Sequence, residues 1–203
     1  MTREIESFRQ QRILKRVVSL SRAAAACGAA VGVIVLLGWA FDVPVVKSLG
    51  PHLASMKANT ALSMLLAGVS LWCLSDESRP KWKNRVGYGC AILLSLIGVF
   101  TLSEAALRVD YGIDGMLFAD HSPRAGMLAP SRMGINTAIC ITLLGFSMLL
   151  MDRETLGRRY SQTLAAVTGA VSLYAVIGYV FSVRALYSIY IFSEWRFTPQ
   201  LRF

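Results

Sequence analysis

Five stretches of the chain, residues 23–41, 59–75, 86–107, 134–151 and 162–183, are dominated by apolar side chains, and polar and charged residues gather between them. None alternates with a period of two, as a half-buried strand would, and none shows a narrow apolar stripe. Each reads as a helix that is apolar all round, the pattern of a segment surrounded by lipid, and a bilayer core needs about 20 such residues per crossing. The second and fourth runs are short and would cross with little tilt or with local thinning. Pro44, Pro51, Pro80, Pro123, Pro130 and Pro199 all lie between or beyond the runs, where a missing backbone donor costs least. The pattern predicts an all-α, polytopic transmembrane bundle of about five helices.

The runs also resemble one another. Met56-Lys57-Ala58-Asn59-Thr60-Ala61-Leu62 recurs as Met133-Gly134-Ile135-Asn136-Thr137-Ala138-Ile139, an offset of 77 residues (56 to 133), and Gly68-Val69-Ser70 recurs as Gly145-Phe146-Ser147 at that offset. Gly38-Trp39-Ala40-Phe41-Asp42-Val43 matches Gly178-Tyr179-Val180-Phe181-Ser182-Val183, and Glu104-Ala105-Ala106-Leu107-Arg108-Val109 aligns with both when Glu104 stands in the glycine's place. The unit is a helix hairpin: one helix crosses, a loop follows, and a second helix opens on Asn-Thr-Ala and returns. Two units are complete. The third reaches Phe197-Thr198-Pro199-Gln200, the expected threshold of a sixth helix, so the chain reads as a fragment or a truncated product.

Composition agrees with a membrane protein: 55% of the residues are hydrophobic and 16% charged. The net charge of +9 comes from short clusters flanking the runs, without the aromatic interleaving of a nucleic-acid surface, so nucleic acid is excluded as a partner. Counting Lys and Arg near the ends sets the orientation. The basic arm 1–22 (Arg3, Arg9, Arg12, Lys15, Arg16, Arg22), the 76–85 loop (Arg79, Lys81, Lys83, Arg85) and the 152–161 loop (Arg153, Arg158, Arg159) carry thirteen. The opposite side carries eight, three of them in the tail 184–203. The expected topology is therefore a multi-pass protein of a bacterial inner membrane, with a cytoplasmic N-terminus and an extracytoplasmic tail. The N-terminus is no cleavable signal, because charge continues to Arg22 and the run that follows is too long. Cys27, Cys73, Cys90 and Cys140 lie in or at the ends of apolar runs and read as packing residues.

The two Met-x-x-Asn-Thr-Ala segments, followed by Leu66-Ala67-Gly68 and Leu143-Leu144-Gly145, with Tyr111-Gly112-Ile113-Asp114-Gly115-Met116-Leu117-Phe118 before the second copy, carry a resemblance over about residues 25–190. The chain resembles the N-terminal membrane regions of bacterial sensor histidine kinases and diguanylate cyclases. In those proteins six helices precede cytoplasmic PAS, kinase or cyclase domains and form the input module. The resemblance implies a sensory module without catalysis of its own. This chain has no phosphoacceptor histidine motif, no ATP-binding glycine boxes and no GGDEF motif.

Several residues invite chemistry. Asn59 and Asn136, with Thr60 and Thr137, read either as helix N-caps or as a ring of polar groups forming a small sensing site. Glu104 is the only carboxylate within the five runs. It has three ways to avoid bare charge in lipid: pairing with Arg108, facing the interior beside Asn59 or Asn136, or keeping its proton. Asp110, Asp114, Asp120 and His121 crowd one loop, as weak candidates for a cation or as plain turn residues. Gly28 and Gly32 form a G-x-x-x-G step that fits close helix packing, within the chain or in a homodimer. No metal site or cofactor is expected: His52 and His121 both lie in loops, which argues against haem, and Gly87-Tyr88-Gly89 has no lysine to make a phosphate loop. The expected partners are the bilayer, a second copy of the chain, and a kinase or cyclase output domain in longer relatives. The competing reading is a small transporter or channel-like protein.

Overall fold

A computed structural model describes residues 2–48, 56–76, 79–107, 109, 133–152 and 155–181. Its elements are α1 (Thr2–Ala40), α2 (Pro44–Ser48), α3 (Ala58–Leu74), α4 (Lys81–Leu107), α5 (Ile135–Leu149) and α6 (Thr155–Val180), with no strand among the described residues. Three helical stretches are long and apolar enough to cross a membrane: Arg9–Ala40, Lys81–Leu107 and Arg159–Gly178. The chain is thus a membrane protein. The apolar helices α3 and α5 are shorter, at 17 and 15 residues, which at ~1.5 Å per residue is about 26 and 23 Å.

Consecutive helices pack side by side, α1 on α3, α3 on α4, α4 on α5 and α5 on α6. Large apolar residues such as Leu37, Leu93, Leu96, Leu173 and Val176 face outward, while many buried positions are small or hydroxylated: Ala61, Ala91, Ser63, Ser70, Ser95, Ser147 and Ser161. That inversion suits lipid as solvent, where helices gain by close approach and not by hiding apolar surface. Two contiguous clusters make the core, Leu74, Ala91, Leu94, Ala138, Ile141 and Met148 between α3, α4 and α5, and Val35, Trp39, Ala58 and Ala61 between α1 and α3.

The crossings are set by glycines. A Cβ on Gly32 would lie 2.7 Å from the Leu65 backbone nitrogen, and one on Gly68 would lie 2.7 Å from that of Ala29. Gly28 lies on the same side, with the Met64 carbonyl oxygen 3.9 Å from where its Cβ would be, so this face is used inside the chain. At the α4–α5 crossing a Cβ on Gly98 would lie 2.9 Å from the Thr142 nitrogen, and one on Gly145 would lie 2.9 Å from that of Ser95. Hydroxyls bridge the remaining pairs. Ser70 donates to the Gly87 carbonyl at 2.9 Å, Ser147 to that of Ser161 at 2.8 Å, and Ser161 back to that of Ser147 at 2.7 Å.

Helix α1 ends in a Schellman turn. Asp42 takes a left-handed φ of 55°, the Val43 amide bonds the Gly38 carbonyl at 2.9 Å, and the Asp42 amide reaches that of Trp39 at 3.4 Å. Proline at the first position of α2 then starts a helix that folds back, and a side chain on Gly38 would collide with Val46. Trp39 Nε1 closes the turn by donating to the Met56 carbonyl at 2.9 Å, with the Lys47 ammonium 4.4 Å above its ring.

The other end of the bundle is tied by charge. Arg79, its side chain 9% exposed, donates to the Leu74 and Asp76 carbonyls at 3.1 and 3.0 Å, to Asn84 Oδ1 at 2.9 Å, and pairs with Asp152 beyond α5. Arg22 of α1 reaches Asp76 at 2.9 Å.

Candidate polar site between α3 and α4

Helical spacing sorts the polar residues of α3. Ser70 marks the side facing α4, and Ser63 and Asn59 precede it by two and three turns on that side. On α4, Gly87 faces Leu74 and Cys73, and Thr101 follows almost four turns later with Glu104 one turn beyond. The helices run antiparallel, so climbing α4 from Gly87 while descending α3 from Cys73 brings Thr101 level with Asn59. All four residues are buried: Asn59 is 4% exposed, Ser63 1%, Thr101 6% and Glu104 3%. Ser63 Oγ and Thr101 Oγ1 are covered and have no hydrogen-bond partner among the described residues.

Neither asparagine is an N-cap. The caps are Lys57 and Gly134, neither with a side-chain cap bond, and their carbonyls accept the first helical bonds from Ala61 and Ala138, both at 3.0 Å. Asn59 and Asn136 each stand two residues further in, at the second helical position.

The expected ring of polar groups is divided between two interfaces. Asn136 precedes Gly145, which faces α4, by nine residues, two and a half turns, and so is turned away from α4. It shares the α6 side with Ser147 and with Cys140, whose sulfur lies 3.6 Å from the Ser172 hydroxyl. Thr60 and Thr137 are half-buried beside the asparagines. Sequence reasoning passed over Ser63 and Thr101, although their spacing from Asn59 and Glu104, one turn in each case, was available.

Asp110, Asp114, Asp120, His121, Arg108 and the tail 184–203 lie outside the described residues. Among the described residues, no group of three or more His, Cys, Asp and Glu side chains gathers as a metal site. Comparison of the chain with protein-family models, curated proteins and solved structures finds no match.

Proposed function

We propose that the chain is the membrane-embedded input module of a bacterial signal-transduction protein, made of repeated helix hairpins that cross the inner membrane five times from a cytoplasmic N-terminus. The observation that carries the reading is that contacts recur at the offsets of the sequence repeat. Gly32 meets Leu65 and Ala29 meets Gly68 at one crossing; Gly98 meets Thr142 and Ser95 meets Gly145 at the other. The returning helices are offset by 77 residues (65 to 142, 68 to 145) and the leading ones by 66 (32 to 98, 29 to 95). The hydroxyl bonds Ser70 to Gly87 and Ser147 to Ser161 repeat likewise, at 77 (70 to 147) and 74 (87 to 161). Offsets of 66 and 74 are the ones that align Gly38, Glu104 and Gly178.

A stack of like hairpins offers like packings to switch between, which suits a module that passes a signal by shifting helices. In this topology the α3–α4 polar site lies toward the outer face, where a stimulus arrives, and α1 leads inward. A chimera with a diguanylate cyclase catalytic domain joined ahead of Thr2, produced in a bacterial inner membrane, tests it. Glu104→Gln is expected to change cyclic dinucleotide output by threefold or more at equal membrane abundance. Output indifferent to that substitution and to Asn59→Ala would overturn the reading.

The buried carboxylate also favours a second reading, a small cation transporter. Cation flux into proteoliposomes that Glu104→Gln abolishes would establish it.

A further inference from the structure

We propose that the groove between α1 and α3 binds one anionic phospholipid, with an acyl chain seated in the groove and the phosphate against Arg22 and Lys15.

The first ground is the hollow itself. Ala26 and Ala29 of α1 and Gly68, Val69, Trp72 and Cys73 of α3 line a groove of about 200 Å³. Its floor is the tight crossing at which Gly68 meets the Ala25 and Ala29 backbone. The α1 side chains beside that crossing are only methyl groups, and Trp72, 46% exposed, stands over them as a wall. An apolar cavity of roughly 150 Å³ stays dry and takes up a molecule as large as benzene. This groove therefore has room for several methylene groups. Lipid surrounds the outer faces of these helices, so the chain of a neighbouring lipid is the apolar material at hand.

The second ground is the charge at one end of the groove. Arg22 precedes Ala26 by four residues, about one turn, and Lys15 precedes Arg22 by seven, about two turns, so both stand in the column that leads into the groove. From Ser7 to Ala40 α1 carries no acidic residue. Arg22, its side chain 40% exposed, pairs with Asp76 at 2.9 Å through one terminal nitrogen. A guanidinium carries five N–H donors in a planar fork, so the same side chain can also hold a phosphate. The level fits as well. The apolar run begins at residue 23, which puts Arg22 where hydrocarbon gives way to headgroups and Ala26 and Ala29 alongside the chains.

Charge also separates the occupants. Copies of the chain in one membrane share an orientation, so a second copy would bring its own Arg22 and Lys15, or the Lys81 and Lys83 of its α4, to this level, and like charges oppose docking. A zwitterionic lipid gains less than an anionic one, because its ammonium offsets its phosphate.

The test uses the full chain reconstituted in phosphatidylcholine bilayers holding a minority of phosphatidylglycerol, with one lipid or the other brominated high on its acyl chains. Bromine quenches a tryptophan it touches, and subtracting the signal of Trp72→Phe isolates Trp72 from the other tryptophans. Brominated phosphatidylglycerol is expected to quench Trp72 by about threefold or more beyond brominated phosphatidylcholine at equal mole fraction. Ala26→Leu fills the groove from an exposed position without changing charge, and should erase that preference. Arg22→Gln combined with Lys15→Gln should erase it too, with the groove intact. Equal quenching by the two lipids, or none by either because a second copy fills the groove, would overturn the proposal. So would a preference that survives Ala26→Leu, which would mean that the basic arm gathers anionic lipid around the protein without seating it, or one that survives the loss of both charges.

Discussion

Gly68 and Gly145 have no room for even a methyl group, because the atoms opposite are backbone. A Cβ on Gly68 would meet the Ala25 carbonyl oxygen at 2.6 Å, and neither helix can yield without opening the crossing. Gly68→Ala and Gly145→Ala are therefore expected to cost about 1–3 kcal/mol each in an unfolding assay of the reconstituted protein. Gly89 and Gly169 have nothing within 4 Å, so alanine there should be neutral or stabilise by up to about 1 kcal/mol through helix propensity. Equal losses at all four positions would show that the crossings are looser than described. The glycine contacts were partly legible in the sequence: the G-x-x-x-G step of Gly28 and Gly32 pointed to close packing, although only Gly32 is tight against its neighbour. Ser63 and Thr101 were not legible. A hydroxyl in an apolar run looks like any other tolerated helix residue until its partners are counted, and burial is a property of the neighbours.

Among the elements, the apolar runs marked where the large helices lie, because lipid demands length and uniform hydrophobicity and leaves few alternatives. Caps and turns were harder, since they depend on one or two backbone angles. The repeated asparagines drew attention to the starts of α3 and α5, yet the N-caps lie two residues earlier, at Lys57 and Gly134, neither of which makes a side-chain cap bond. The short helix α2 was not foreseen. Pro44 read as punctuation, whereas it opens α2 after a turn that requires Asp42 in the left-handed region. A β-branched residue is strained there, so Asp42→Val should cost about 1–2 kcal/mol. Asp42→Gly should stay within about 0.5 kcal/mol, losing only an exposed ion pair with Lys47. Thermal unfolding of the two variants checks this, and equal destabilisation would mean that the Lys47 pairing and not the backbone holds the turn.

For the molecule as a whole, Arg79 does what a tally of positive charge could not reveal. In the sequence it is one of several basic residues that set orientation; in the structure its planar fork joins the end of α3, the first turn of α4 and the segment after α5. Removing it leaves carbonyls and Asp152 without their donor. Arg79→Ala is expected to cost about 2–3 kcal/mol, and Arg79→Lys should not restore the loss, because a point charge with three donors cannot span four acceptors in one plane. Faster labelling of a cysteine placed at Asp76 in Arg79→Ala than in an Arg79-containing control would confirm that the tie has opened, and unchanged labelling would refute it.

Helix α1 runs unbroken for 39 residues from Thr2 to Ala40, about 58 Å of rod against an apolar slab of roughly 30 Å. Between Thr2 and Cys27 it contains neither proline nor glycine, the residues at which helices bend. Mechanically this is a driveshaft whose bearing is the Arg22–Asp76 pair. In the proposed sensory role, torque applied where Gly32 packs against α3 would reach the basic tip as a change of azimuth, with little change of height. In that same role, an output domain joined to the tip would have to distinguish which face is turned toward it, so a single alanine inserted between Arg9 and Leu20, which would rotate the far end by about 100° without disturbing the bundle, should change its output.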